Sequence, residues 1–85
     1  MPKSIHSREY QAFLVVLRDV RLEHGVTQIE LAERLGLSQA MVSKSERGDR
    51  RVDVIELWRM CRALEEPFPK FVSRLEDALK TLAVS

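Results

Sequence analysis

The sequence predicts an all-α protein built from five helices. Apolar residues recur every three or four positions in successive stretches, and no stretch sustains the strict alternation of a β-strand. Only three glycines and three prolines interrupt the chain, and helix-capping residues precede several of the stretches. Its 85 residues fit one domain. We therefore expect residues 1–85 to form a single domain, with a core over about residues 10–66 and a C-terminal helix over about residues 69–83.

Residues 8–24 form the predicted first helix, and Gly25 ends it because glycine readily adopts the left-handed conformation found at helix C-termini. Arg21 projects onto the apolar face of this helix, where a buried guanidinium needs a partner. Val15 and Leu22 project to the opposite side. The apolar face consists of Tyr10, Phe13, Leu14, Leu17 and Val20.

The second and third predicted helices are separated by a short turn. Thr27 caps the second helix and forms a capping box with Glu30, and Gly36 ends it. Ser38 caps the third helix, which runs from about residue 39 to residue 47. Because so few residues join the two helices, the second must fold sharply across the third.

The fourth and fifth predicted helices follow a polar loop at residues 49–51. Asp53 caps the fourth helix, with Glu56 at the capping-box position, and Pro67 and Pro69 bracket the break before the fifth. The apolar stripe of the fourth helix is Val54, Leu57, Trp58, Cys61 and Leu64. That of the fifth is Phe71, Val72, Leu75, Ala78, Leu79 and Leu82.

Composition excludes several classes of function. Cys61 is the single cysteine, so no intramolecular disulfide forms, and we expect its thiol to be buried. His6 and His24 lack the spacing of metal ligands or of a nucleophile pair, and no acid–base constellation appears. We therefore expect no enzyme activity, no metal and no cofactor. No signal peptide or membrane-spanning run is present, which predicts a cytoplasmic protein with no membrane partner.

The stretch from Gln28 to Arg47 carries the functional pattern. The formal net charge is only +1, but residues 38–51 lean positive. The third helix turns inward at Val42 and leaves a short, polar and basic set on its outer side. Such a set suits hydrogen bonds to base edges and phosphates in a DNA major groove, which admits one helix. The outward set consists of Gln39, Ala40, Ser43, Lys44 and Arg47.

These positions together resemble the helix-turn-helix of the phage repressor and Cro type, also called the XRE type. The resemblance covers about residues 10–66. It implies a five-helix, lambda-repressor-like DNA-binding domain in which helices two and three form the helix-turn-helix. It also implies binding to double-stranded DNA as a homodimer. The residues that carry it are Leu17, Arg18 and Arg21, then residues 25–32 (GVTQIELA), 35–39 (LGLSQ), 42–44 (VSK) and 46–48 (ERG).

The resemblance also assigns roles to individual residues. Gln39 would read a base, and glutamine can pair with N6 and N7 of adenine. Gln28 would contact a phosphate and brace Gln39. Lys44 suits a guanine edge and Ala40 a thymine methyl group. The base-contacting candidates are Gln39, Ala40, Ser43 and Lys44. The phosphate-contacting candidates are Gln28, Ser38, Arg47, Arg50 and Arg51.

Two further positions follow from the same resemblance. Arg21 would pair with Glu46 and tie the first helix to the recognition helix. The alternative is that Arg21 extends to solvent. Ser45 departs from the family pattern, which usually has a larger apolar residue there, so a gap or a buried hydroxyl results. We expect Trp58 to fill that space from the fourth helix.

Surplus apolar surface predicts a homodimer, because the fifth-helix stripe exceeds what a small core needs. The alternative is that the last helix simply covers the first. Both can hold together. The dimer candidates are Phe71, Leu75, Leu79, Leu82, Val15 and Leu22.

The leading hypothesis is a transcriptional regulator, either a repressor or an autoregulator, that occupies a palindromic operator. An antitoxin or a restriction-modification controller would share the same fold and length. A toxin or RNA polymerase is therefore a candidate protein partner. A helix-turn-helix used for protein–protein contact would present an apolar outer face on the third helix, whereas this face is polar and basic.

Overall fold

The computed structural model describes residues 7–84, and within that range it contains five α-helices and no strand. This confirms the predicted fold class. His6 lies outside the described residues. None of the five helices is long and apolar enough to cross a membrane. The helices are α1 (Arg8–Glu23), α2 (Gln28–Leu35), α3 (Gln39–Arg47), α4 (Val54–Leu64) and α5 (Phe68–Val84).

The helix ends lie where the capping residues predicted them. The Thr27 hydroxyl accepts the amide of Glu30, and the Glu30 carboxylate accepts the amide of Thr27, each at 3.1 Å. This reciprocal box lowers the pKa of Glu30, because two hydrogen bonds from Thr27 stabilise its charged form. Gly36 ends α2 with φ at 70°, a conformation that strains any residue with a Cβ. Ser38 then caps α3, so residues 36–38 form the whole turn.

The core lies between α1 and the other helices. α1 packs against α5 on one side and α3 on another, while α2 crosses α3 and α4. Phe13 and Phe71 meet edge to face, with ring centroids 6.2 Å apart. The Tyr10 hydroxyl accepts the amide of Val52 at 2.9 Å, which fixes the loop before α4 to α1. The fully buried large side chains include Leu17, Val20, Leu31, Val42, Met60, Leu64 and Phe71.

The predicted stripe of α4 was partly wrong. Leu57, Cys61 and Leu64 are buried, but Met60 completes the buried face, and Val54 and Trp58 are 64% and 42% exposed. Successive residues of a helix lie about 100° apart, so Trp58 sits at the edge of the face that begins at Leu57.

The N-terminus of α4 also differs from its prediction. Asp53 caps the helix, because its side chain accepts the Glu56 amide at 2.8 Å. The Glu56 carboxylate does not turn back to the cap but pairs with Arg50. A long-range partner has therefore taken the group that would complete the capping box.

The structure moves Phe71 from the candidate dimer surface into the core, where its exposure is 0%. Its ring fills the space beside Phe13 on α1. Val72, the next residue, is 43% exposed, so the buried face of α5 is narrower than its apolar stripe. The last helix thus covers the first, as the alternative reading of the sequence held, and still leaves apolar side chains at the surface.

Candidate nucleic-acid interface

The outer face of α3 consists of the side chains that the sequence predicted to face outward. Gln39, Ala40, Lys44 and Arg47 are exposed, and Ser43 is half-buried. Val42 and Ser45 lie on the opposite face and are buried. The helix N-terminus, which carries partial positive charge, begins at the first of these outward residues. A short, polar surface that includes the N-terminus of α3 is therefore available to a major groove.

A continuous chain of hydrogen bonds leads from α1 to the first residue of α3. Arg21 donates to both carboxylate oxygens of Glu46, at 2.5 and 3.0 Å. The side-chain amide of Gln28 donates to Glu46 at 3.0 Å, and that of Gln39 donates to the carbonyl oxygen of Gln28 at 2.9 Å. The chain joins three helices, so the direction of the Gln39 side chain depends on residues far from it in sequence.

The Arg21–Glu46 pair, which begins this series of hydrogen bonds, is buried. The Arg21 and Glu46 side chains are only 8% and 6% exposed, and Arg21 also donates to the carbonyl oxygen of Val26 at 2.8 Å. Removing one member of such a pair leaves an uncompensated buried charge. The guanidinium does not extend to solvent, so that alternative is wrong.

The carboxylate fixes which way both amides face. Because Glu46 only accepts hydrogen bonds, Gln28 must present its NH₂ group to Glu46 and its carbonyl oxygen to Gln39. Gln39 must then use one N–H to reach Gln28. Its second N–H and its carbonyl oxygen stay available side by side. This donor–acceptor pair matches the N7 acceptor and N6 donor that adenine presents in the major groove.

The basic side chains of α3 have different surroundings. Arg47 lies across the outer face, donating to Ser43 at 3.2 Å and to Asp49 at 3.1 Å. Its side chain is 60% exposed, so these contacts orient it without removing it from solvent. The Lys44 side chain makes no hydrogen bond or ion pair with any residue between 7 and 84 and is exposed. Both cations can therefore meet an anionic partner.

The neighbouring arginines of the loop differ in their contacts. Arg50 donates to both oxygens of Glu56, at 2.5 and 2.7 Å, and to the Ser45 hydroxyl at 3.0 Å. Hydrogen bonding to Glu56 raises the pKa of Arg50. Arg51 is exposed, with its guanidinium carbon 5.8 Å from the centre of the Tyr10 ring. Arg50 therefore faces the protein, and Arg51 faces solvent.

These contacts account for the departure at Ser45. Its hydroxyl is fully buried, donates to the carbonyl oxygen of Met41 at 2.9 Å and accepts from Arg50. The small side chain leaves room for a guanidinium, so an ion pair replaces the apolar contact usual in the family. The expectation that Trp58 fills this space is wrong, because Trp58 is exposed on α4 and its ring stacks with Arg62.

Arg18 is a basic residue of this surface that the sequence analysis placed in the family motif without assigning it a DNA contact. It lines an open depression together with Gln28, Ser43 and Arg47, directly above the Arg21–Glu46 pair. No described carboxylate pairs with it, and it is exposed. Its position one turn before Arg21 was visible in the sequence, but only the packing of α1 on α3 brings it beside the recognition helix.

The chain matches a known protein family over most of its length. A family model described as Helix-turn-helix matches residues 17–71, well over half of the chain. The chain belongs to the XRE-type helix-turn-helix family, a non-enzymatic class of DNA-binding transcription regulators.

Similar proteins support this placement. An XRE-family-like protein from Pseudomonas syringae pv. tomato superposes with a TM-score of 0.79 at 44% identity, covering 87% of this chain and 90% of that one. The restriction-modification controller protein C.Esp1396I, solved as a tetramer on its natural 35 base-pair operator, gives a TM-score of 0.78 at 27% identity, covering 86% and 96%. The HTH-type transcriptional regulator SutR of Escherichia coli is 34% identical over 62 residues, or 73% of this chain. The chain spans 35% of the length of SutR.

Proposed function

We propose that this transcription regulator acts as a homodimer on a palindromic operator, with α3 in the major groove of each half-site. The observation that carries the proposal is the hydrogen-bond chain from Arg21 to Gln39. It presents one donor and one acceptor at the start of the recognition helix. The rest of the outer face adds Ala40, Ser43 and Lys44 as further base-contacting candidates.

In this proposal Gln39 reads adenine. The N–H left free by Gln28 donates to N7, and the carbonyl oxygen accepts from N6. Because Glu46 holds Gln28, a rotation of the Gln39 amide would break its bond to Gln28. Guanine, which presents two acceptors, is therefore disfavoured at this position. Lys44 lies more than one helical turn after Gln39 on α3, so it would contact a different base pair.

The candidate phosphate-contacting residues lie around Gln39. Gln28 is the first residue of α2 and Ser38 is the N-cap of α3, so both lie at helix N-termini, which attract anions. Arg47 and Arg51 offer exposed guanidiniums on the outer side, and Arg18 adds a third beside Gln28. Arg50 could contact a phosphate only with the donors that Glu56 and Ser45 leave free, so we propose that it chiefly holds the loop that presents Arg51.

The proposed dimer surface lies between α1 and α5. Val15 is 60% exposed and lines an apolar groove with Ala12 and Leu82. Leu75 and Leu79 lie half-buried on α5, and Leu22, at 53% exposure, extends the same side of α1. A second copy would cover these side chains. A twofold dimer relates its two recognition helices by the same symmetry that relates inverted half-sites, which is why we propose a palindromic operator.

The mechanism we propose is occupancy: the bound dimer covers a promoter and so represses transcription in the cytoplasm, including that of its own gene. A controller role in a restriction-modification system is the second candidate. It is favoured by the similarity to C.Esp1396I, of which this chain covers 96% with a TM-score of 0.78. The two roles use the same DNA-binding surface, so they differ in the regulated genes and not in the contacts.

Selection of bound sequences from random duplex DNA tests the proposal directly. Purified protein should enrich a motif with two inverted half-sites, each containing an adenine at a fixed position. Half-site centres should lie one helical turn apart, about 10 base pairs. Enrichment of a single half-site would contradict the dimer, and no enrichment would contradict sequence-specific binding.

A further inference from the structure

A second surface of the molecule combines an exposed tryptophan with unpaired arginines. An open groove runs between the end of α2 and the second half of α4, lined by Arg34, Leu35, Trp58, Arg59, Arg62 and Ala63. Trp58 is the single tryptophan of the chain and is 42% exposed. The Arg62 guanidinium lies over its ring, 4.9 Å from the centroid. Leu35 and Ala63 give the groove an apolar floor.

The three arginines of the groove have no carboxylate partner among residues 7–84, in contrast to Arg21 and Arg50. Arg34 donates to the carbonyl oxygen of Ala63 at 2.8 Å, which fixes its position at the edge and leaves further N–H donors free. The Arg59 side chain is exposed and forms no hydrogen bond, ion pair or ring contact among the described residues. A groove with three positive charges is therefore built into a chain whose net charge is only +1.

Glu30 is the α2 carboxylate one turn before Arg34, and the two groups interact electrostatically. The Glu30 carboxylate accepts the amide of Thr27 in the capping box and forms no ion pair with Arg34. The groove therefore keeps guanidinium N–H groups that no described carboxylate occupies. Guanidinium groups bind carboxylates in a fixed bidentate geometry, so the surface is complementary to an acidic ligand.

The apolar part of the groove indicates a protein ligand rather than DNA. A phosphate backbone needs cations but gains nothing from Leu35, Ala63 or an indole face. The groove also lies at the last turn of α2, whereas Gln28, the DNA-contacting candidate on this helix, lies at its first turn. Tryptophan and arginine are the side chains that most often dominate protein–protein binding energy.

We propose that this groove docks an acidic segment of a partner protein, one that carries an apolar side chain flanked by carboxylates. The apolar side chain would lie on Leu35 and Ala63 against Trp58. The carboxylates would pair with Arg34, Arg59 and Arg62. This inference does not depend on how the chain reads DNA. It provides the regulator with a contact that can be made while the recognition helix is occupied.

The single tryptophan makes the test specific to the groove. The probe is a short capped peptide of repeated Glu-Leu-Asp units, without tryptophan, added to the full chain while Trp58 emission is recorded. We expect a saturable change. Two control peptides, with Gln-Leu-Asn or Glu-Ser-Asp units, should bind at least about tenfold more weakly, a loss of about 1.4 kcal/mol each.

Variants of the chain separate this site from general charge effects. Arg59→Glu should weaken binding of the Glu-Leu-Asp peptide by at least about tenfold. Lys70→Glu changes the net charge by the same amount as Arg59→Glu, but at an exposed position on α5, and should leave peptide binding unchanged. An equal loss in Lys70→Glu, or no emission change with any peptide, would overturn the proposal.

Other occupants give distinct results in the same experiment. Emission that shifts with protein concentration alone would show that a second copy covers the groove. Duplex DNA that changes Trp58 emission in the parent and not in Arg59→Glu would show a phosphate-binding surface. Either result would replace the acidic segment as the ligand.

Discussion

Arg50 and Arg51 are adjacent in sequence and alike in chemistry, yet the structure predicts opposite consequences for their removal. Arg50→Ala deletes two hydrogen bonds to Glu56 in a pair whose side chains are 28% and 21% exposed. Hydrogen bonds to charged groups contribute about 1.5–3 kcal/mol when protected from solvent. Allowing for this partial exposure, we expect the free energy of unfolding to fall by about 2 kcal/mol. Ser45 keeps its bond to Met41, so no buried hydroxyl is left unpaired.

Arg51→Ala deletes an exposed guanidinium whose one recorded contact is the face of the Tyr10 ring. Such contacts contribute about 0.5–1 kcal/mol at exposed sites, so the free energy of unfolding should change little. If Arg51 neutralises one phosphate per protomer, the slope of log K against log salt should become shallower by about 0.9 per protomer, or about 1.8 per dimer.

Two measurements on the same variants separate the roles. Urea unfolding followed by circular dichroism gives stability, and fluorescence anisotropy on the selected duplex at several salt concentrations gives the slope. We expect Arg50→Ala to lower the free energy of unfolding and leave the salt slope unchanged. We expect Arg51→Ala to make the salt slope shallower and change the free energy of unfolding little. Arg59→Ala, away from the proposed DNA surface, should change neither.

A double-mutant cycle completes this test. Arg50→Ala and Glu56→Ala should be non-additive by about 1–2 kcal/mol, because each removes the same interaction. A shallower salt slope in Arg50→Ala, combined with wild-type stability and an additive cycle, would refute the reasoning. Arg50 would then be a phosphate contact, as the sequence alone suggested.

Four other outcomes are expected from the structure. Gln39→Ala should relax base preference at one position of the selected motif, at a cost of about 1–3 kcal/mol for the preferred base; an unchanged motif would exclude Gln39 as a reader. Arg21→Met should lower the free energy of unfolding by about 3–5 kcal/mol, since it leaves the buried Glu46 carboxylate without its counter-charge, and urea unfolding should show a midpoint shift to match. Val15→Glu should convert the proposed dimer to monomer in sedimentation velocity without loss of stability, while Val54→Glu, at a similarly exposed position on α4, should leave that dimer intact. Burial raises the pKa of the Cys61 thiol to about 11, so the thiolate fraction at pH 8 is about one in a thousand. Iodoacetamide labelling at that pH should therefore be slow in buffer and rapid in urea, and rapid labelling in buffer would place the thiol at the surface.

Local rules were sufficient for the helices and their ends. Capping by Thr27, Ser38 and Asp53 involves an amide three residues away, so a short window of sequence contains all the interacting groups. The left-handed Gly36 is equally local. The position of α3 and its outward side chains could be predicted for the same reason.

The burial of individual residues was predicted less well where the apolar stripe of a helix is wider than the face that other helices cover. Periodicity placed Trp58 and Phe71 alike on apolar stripes, but Phe71 meets Phe13 across the core, whereas Trp58 is 42% exposed and stacks with Arg62 of its own helix. A helical projection gives the direction of a side chain. It does not give the distance to the next helix, which decides whether that side chain is covered.

The sequence by itself therefore determined the helix-turn-helix, the outward set that begins at Gln39 and the need of Arg21 for a partner. Tertiary structure alone decided which loop arginine faces the protein. Glu56 lies six residues after Arg50, beyond the N-cap of α4. Ser45 lies five residues before Arg50, within the last turn of α3. Only the packing of those two helix ends brings a carboxylate and a hydroxyl to one guanidinium and leaves its neighbour, Arg51, in solvent.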